Sequence, residues 1–267
     1  MKEFYIRFIS GILYALLILF ALFSNQLTFS IVLTVFSILA IIEFQRLINY
    51  KSIFAIALLL LLVYNFNKFH IDVHSLNYLL ILNFASHFFL LYVLFYNKKI
   101  ILKYIVKSIL TSLYVVLGCF FIIALAGTAK NYNPDSILLF YLLIWVNNSF
   151  AYLIGKKIGK NPLFKSISPK KTWEGFLGGL VLTVLVAIIF CLYKSSFSLF
   201  FYIFIGILIA VLATIGDLIQ SKFKRQANVK DSGSLIPGHG GFFDRMDSVI
   251  FSSPWFFFIT NINQYVS

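Results

Sequence analysis

Apolar runs of about 17–25 residues recur along the whole chain, and nothing else in it constrains the fold as strongly. Wound as a helix, a run of that length crosses the roughly 30 Å hydrocarbon core of a bilayer. Candidate spans lie near residues 8–24, 28–45, 52–66, 76–96, 104–127, 137–154, 176–193, 197–219 and 246–263, the third being short. The expected class is therefore all-α: a polytopic integral membrane protein of about nine transmembrane helices. Composition agrees, since 12% of residues are charged, about half the share of a soluble domain. The first run exceeds the apolar region of a signal peptide, and no small-x-small site precedes the polar break. It is read as a retained span.

The basic residues test this parse independently of hydropathy. With the N-terminus in the cytoplasm, only Lys68, Lys130 and Lys194 of the 22 lysines and arginines fall on the outer side. Such asymmetry supports an N-in, C-out arrangement. It also explains most of the net charge of +13 through topology and attraction to anionic lipid heads, so nucleic acid is not an expected partner. Cys119 and Cys191 sit inside apolar runs and are read as small buried hydrophobes.

Two loops on the cytoplasmic side, 155–175 and 220–245, are longer than packed helices require. Asp217 ends the eighth span near the second loop, while Asp244 and Asp247, spaced i and i+3, share a face at the start of the ninth. Either of the last two could be only a cap or a dipole partner. Three carboxylates near one membrane interface point further, because unpaired charge there is costly. Clustered carboxylates suit a hard ion such as Mg²⁺, which takes one or two of them plus phosphate oxygens. Cysteines and closely spaced histidines offer no zinc site.

Beside these acids, Lys222, Lys224, Arg225 and Lys230 with the "PGHGG" turn have the character of an anion cradle. In the other loop, "SPKKTWEGFLGG" places Lys170 and Lys171 just before a helix. There Thr172 could be the N-cap and Trp173 an interfacial anchor. Upstream, Asn147, Asn148 and Ser149 interrupt an apolar helix, with Asn148 and Tyr152 on the face leading towards the basic loop. His70, His74 and His87 are assigned no role.

The stretch "SKFKRQANVKDSGSLIPGHGGFFDRMDS" resembles the signature of the phosphatidate cytidylyltransferases: Ser, Lys-Arg, Lys-Asp, Pro-Gly-His-Gly-Gly and Asp-Arg-x-Asp in order. "SPKKTWEGFLGG" is similar to that family's second block, in a form close to its eukaryotic-type members. The matched segments cover roughly residues 145–250; the first five spans match only in being hydrophobic. Where the family usually has Asp before an Ala-Tyr pair, this chain has Asn148.

The resemblance implies transfer of a cytidylyl group from CTP to phosphatidic acid, giving CDP-diacylglycerol and pyrophosphate. It implies Mg²⁺ on Asp217, Asp244 and Asp247, with K⁺ as a candidate second ion. It implies catalytic roles for Asp217, Lys224, Asp231, Asp244 and Asp247. Substrate contacts would come from Ser168, Lys170, Lys171, Thr172, Ser221, Arg225, Lys230, His239, Gly240, Gly241 and Arg245. Residues 1–130 would then be a helical scaffold giving lipids access, and 131–267 the catalytic helices. The expected site is a bacterial cytoplasmic membrane with the active site on its cytoplasmic face; membrane lipids are partners, and a homodimer is left open.

The chemistry fits the residues. A phosphate monoester with a second pKa of about 6 is already ionised at neutral pH, so no strong base is needed. Bringing two polyanions together calls for metal and fixed cations instead. A cation transporter would place its acids near the midplane. A CDP-alcohol phosphatidyltransferase would show Asp-Gly-x-x-Ala-Arg, which is absent. Another CTP-using lipid enzyme, such as an isoprenoid-alcohol kinase, stays open on composition alone.

Overall fold

The computed structural model describes residues 2–69, 73–96, 103–127, 131–194, 196–236, 238 and 240–261. Helices occupy the positions of the apolar runs: α1 (Lys2–Ser24), α2 (Gln26–Leu47), α3 (Phe54–Phe69) and α4 (Val73–Phe95). They continue with α5 (Tyr104–Leu110), a π-helical segment (Thr111–Val116), α6 (Leu117–Ala124), α7 (Pro134–Ile158), α8 (Trp173–Tyr193), α9 (Leu199–Gln226) and α10 (Phe243–Thr260). α5, the π segment and α6 form one rod. Among the described residues, six helices are long and apolar enough to cross a membrane: α2, Leu76–Phe95, Tyr104–Ala124, α7, α8 and α9. Ile9–Ser24 and Phe54–Phe69 are apolar but shorter. α10, with Asp244, Arg245 and Asp247 near its start, is not among the six.

Local chemistry sets the ends. Asn25, Asn133, Thr172 and Ser198 cap α2, α7, α8 and α9 through their side-chain oxygens, satisfying N–H groups that have no partner inside the helix. Past the C-termini of α2 and α9, Asn49 and Asn228 take positive φ, the left-handed stop that Asn tolerates better than most residues.

Two expectations are corrected. The fold is nearly all-α, because the first loop holds a hairpin: β1 (Pro162–Phe164) runs antiparallel to β2 (Ser168–Thr172), with Phe164 opposite Ser168. And the helix expected to end near 219 runs on to Gln226, so Ser221, Lys222, Lys224 and Arg225 are helical. Leu218, Ile219 and Phe223 are buried, which keeps an apolar stripe through this polar stretch and holds it in the helix.

α8 shows how the rods pack. Gly175, Gly179, Thr183 and Ala187 line its buried face, while Leu177, Val181, Leu185 and Ile189 face outward. Small residues inside and large apolar ones outside is the pattern of helices associating in lipid, where contact area rather than water exclusion drives packing. A Cβ on Gly175 would lie 2.6 Å from the Ala151 carbonyl oxygen, so α7 and α8 touch backbone to backbone. α10 is buried along most of its length, packed against α9 and α6. Near its start it meets α2, α7 and α9 at one end of the bundle.

Candidate active site

At that end two cavities share a wall. One, of about 710 Å³, lies between α7 and the hairpin and is lined by Lys156, Lys160, Ser168, Lys170, Lys171 and Thr172 together with Asn148 and Tyr152. The other, of about 580 Å³, is lined by Asp231, Asp244, Arg245, Asp247 and Lys224, with Tyr14 of α1 and Ile144 and Trp145 of α7 opposite. Asn148 and Asp217 border both. One cavity is basic, the other acidic with an apolar flank.

The shared wall is tightly organised. Lys171 of the hairpin pairs with Asp217, and Ser221, one turn along α9, donates to the other Asp217 oxygen at 3.3 Å. Asn148 donates to Ser248 Oγ at 3.0 Å, and Ser248 in turn donates to the Ala213 carbonyl at 3.0 Å. Asn148 thus ties α7 to α10 in a neutral network. Asp217 and Asp247 line the same cavity.

Asp244 is differently placed. Lys224 Nζ lies 2.7 Å from its Oδ1; its Oδ2 accepts from the Ser232 N–H at 2.7 Å and the Gly241 N–H at 3.0 Å, with Ser232 Oγ 2.9 Å away. Burial alone would raise this carboxyl, but the Lys224 charge and these donors outweigh it and hold it below the usual carboxylate range. The glycine turn wraps around this carboxylate. Gly240 adopts φ +83°, and a Cβ there would come 2.6 Å from Asp244 Oδ2, so the turn needs glycine on both counts. Gly241 spends its N–H on Asp244.

Other expected residues divide. Thr172 caps α8 by accepting from the Gly175 N–H at 3.2 Å and lines the basic cavity as well. Arg225 donates to the Val229 carbonyl at 3.1 Å; it and the exposed Lys230 border neither cavity. Lys222, grouped with the cradle on sequence grounds, turns away: it is buried and donates to the carbonyls of Val93 and Tyr96 at the end of α4. A lysine there satisfies oxygens left open by the helix end. His239 lies outside the described residues.

One residue at this site was not expected. Glu43, near the end of α2, is fully buried, and its Oε2 accepts from the Ser232 hydroxyl and the Phe243 N–H, each at 2.9 Å. The signal was a lone acid in an apolar run, which is costly unless it has work to do. Its partners, about two hundred positions away in the chain, were not readable.

The donors suit a hard divalent cation. Asp217 and Asp247 both line one cavity, and Mg²⁺ typically takes one or two carboxylates with phosphate oxygens and water completing its shell. Among the described residues no three His, Cys, Asp or Glu side chains form a ready-made cage. Two carboxylates plus substrate oxygens match that count, while Asp244 is already engaged by Lys224 on Oδ1 and by the donors of Ser232 and Gly241 on Oδ2.

Lysines and carboxylates thus line two adjoining cavities at one end of a bundle of apolar helices. Residues 5–263 match the Cytidylyltransferase family, and the chain belongs to it. It is 31% identical over 261 residues to the phosphatidate cytidylyltransferase of Bacillus subtilis (strain 168), covering 95% of this chain and 96% of that one. It is 40% identical over 143 residues to that of Staphylococcus aureus (strain COL), covering 53% of each. With that of Staphylococcus haemolyticus (strain JCSC1435) it shares 37% over 142 residues, again 53% of each.

Proposed function

We infer that this chain joins CTP to phosphatidate, giving CDP-diacylglycerol and pyrophosphate, as the names of its relatives indicate for them. The observation that carries the reading is the pair of cavities meeting at Asn148 and Asp217. The hairpin cavity, with four lysines on the hairpin and the end of α7 around it, suits the triphosphate of a soluble nucleotide. The second cavity opens against Tyr14, Ile144 and Trp145, a wall suited to a molecule whose tails stay in the bilayer.

In the reaction a phosphatidate oxygen bonds to the α-phosphorus of CTP. The bond from that phosphorus to its β-bridging oxygen breaks, and pyrophosphate leaves with the electron pair. The nucleophile is ionised near neutral pH, so no side chain has to remove a proton. Lys171 and Lys224, each held by a carboxylate at the edge of its cavity, fix positive charge where two polyanions must approach. Such preorganised charge is the largest contribution proteins make to reactions of this kind. Mg²⁺ held by Asp217 and Asp247 would neutralise phosphate oxygens; Asp244 shapes the loop that carries Asp231.

The same reading places the chain in a bacterial cytoplasmic membrane with nine spans, the N-terminus and both loops in the cytoplasm. The basic residues support it, since those bordering the cavities gather at one end of the bundle. Purified protein supplied with labelled CTP in detergent micelles tests the activity. Phosphatidate should give a labelled CDP-lipid and diacylglycerol or an isoprenoid alcohol should not; the opposite preference overturns the reading.

A further inference from the structure

Glu43 is the only acid in α2 and has no exposed surface. Its Oε2 accepts the Phe243 N–H at the start of α10, a helix whose own N-cap side chain makes no capping hydrogen bond. It therefore caps α10 from across the bundle, satisfying an N–H that the helix leaves open. The same oxygen accepts from Ser232 Oγ, which also lies 2.9 Å from Asp244 Oδ2. A hydroxyl has one hydrogen to donate, so Ser232 sits between the two carboxyl groups and its hydrogen serves one of them at a time.

The loop is shaped around Glu43. A Cβ on Gly241 would come 2.0 Å from Glu43 Oε2, and one on Gly233 would come 2.5 Å from Oε1. Both positions exclude side chains because the carboxyl group fills that space. Meanwhile Oε1 itself has no hydrogen-bond partner among the described residues. A buried carboxyl with an unsatisfied oxygen costs folding free energy, and an apolar residue of similar size would not carry that cost. Sites that break local rules in this way are expected where function requires it.

We propose that Glu43 is the positioning residue of this active site: it sets the conformation of the 231–243 loop and, through Ser232 and the start of α10, the placement of Asp244 with Lys224 and of Asp247. It touches no substrate. Its effect on the transfer step goes beyond its effect on the stability of the bundle. The inference rests on the cytidylyltransferase reading of the site.

Glu43→Ala, Glu43→Gln and Ser232→Ala in the full-length protein, purified in detergent, test it through kcat, the KM for each substrate and the thermal midpoint. Glu43→Ala should lower kcat by roughly a hundredfold, the scale of a displaced catalytic group. Each KM should stay within about twofold, while the midpoint should fall, because Ala leaves the Phe243 N–H unpaired and a cavity behind; Glu43→Gln separates that loss from the effect on turnover. Glu43→Gln keeps an oxygen for Phe243 and Ser232 and should recover most of the lost turnover. Ser232→Ala should act in the same direction, and its effect should not add to that of Glu43→Ala. Turnover of Glu43→Ala within threefold of the parent overturns the proposal, as does a loss matched by a falling midpoint that Gln fails to rescue. If Glu43→Ala cannot be purified, Glu43→Gln and Ser232→Ala decide alone: an unchanged kcat for Ser232→Ala overturns it. A parent protein inactive with CTP and phosphatidate would instead sink the functional reading.

Discussion

Gly216 of α9 lies against the backbone of Asp247 on α10. A Cβ at residue 216 would come 2.8 Å from the Asp247 carbonyl oxygen and 2.8 Å from the Phe251 Cβ. No L-residue other than glycine fits without separating the two helices. That contact brings Asp217, the next residue along, to the same wall as Asp247. The carboxylate pair is thus a consequence of a missing side chain one position away.

Gly216→Ala should therefore damage activity through geometry alone. Forcing a methyl into this contact costs about 1–3 kcal/mol by overpacking and moves Asp217 away from Asp247. Turnover should fall more than tenfold while the purified protein still melts cooperatively in detergent. An Ala variant with parental kcat would mean that the close approach of α9 and α10 is not what assembles the site.

Much of this arrangement was legible in the sequence, and the parts that were not share a cause. Asp217, Asp244, Asp247 and the two loops stood out as charge within an apolar chain. Helices fell where the apolar runs lay, because caps such as Asn133 and Ser198 act locally. Lys222 and Glu43 were misread or overlooked because their roles depend on partners far along the chain: Lys222 meets Val93, and Glu43 meets Ser232 and Phe243. The hairpin was hidden as well. Its strands are three and five residues long, too short for alternation to register.

Sidedness is open to direct measurement. In a background lacking Cys119 and Cys191, single cysteines replace Ser196, beside the start of α9, and Ser234, in the loop, both exposed. A membrane-impermeant thiol reagent applied to intact cells should label position 196 at once and position 234 only after permeabilisation. Labelling in the reverse order would invert the whole arrangement.

The hairpin cavity makes a separate prediction. Lys171 faces Asp217 at the wall the two cavities share. A charge-assisted contact to phosphate is worth about 1.5–3 kcal/mol, so Lys171→Gln should raise the KM for CTP by roughly tenfold or more. The KM for phosphatidate should change far less. A selective rise in the phosphatidate KM would exchange the two substrates between the cavities.

Acid should loosen the 231–243 loop. The Asp244 carboxyl is held below its ordinary range, chiefly by Lys224 and the donors of Gly241 and Ser232 working against burial. A carboxyl depressed on folding contributes stability that is full above its unfolded pKa of about 4 and is lost as pH falls through the lower folded value. Limited proteolysis of the loop should stay flat from neutral pH down to about 4 and rise below it. Asp244→Asn should remove the step, and a step that survives in that variant would assign it to another group.

The last prediction separates carboxylates that hold metal from the one that holds the loop. Asn keeps the size of Asp and caps a helix about as well, so each Asp→Asn change removes charge with little loss of packing. Asp217→Asn and Asp247→Asn should express normally and lose turnover by roughly two to three orders of magnitude, the scale for losing preorganised electrostatics. Whatever activity remains should need a higher Mg²⁺ concentration for half-maximal rate, because one of the two hard ligands is gone. Asp244, engaged by Lys224, Ser232 and Gly241, should behave differently. Asp244→Asn should lower kcat while leaving the Mg²⁺ requirement unchanged. Lys51→Gln, an exposed residue beyond α2 and outside both cavities, should keep parental kinetics. The parent should make no CDP-lipid in excess EDTA. If Asp217→Asn and Asp247→Asn each keep more than about a tenth of parental turnover, a loss below ~1.4 kcal/mol, the metal assignment fails. If only Asp244→Asn shifts the Mg²⁺ requirement, the roles of the three acids are exchanged: Asp244 would be the ligand, and Asp217 and Asp247 would serve to hold Lys171 and the start of α10.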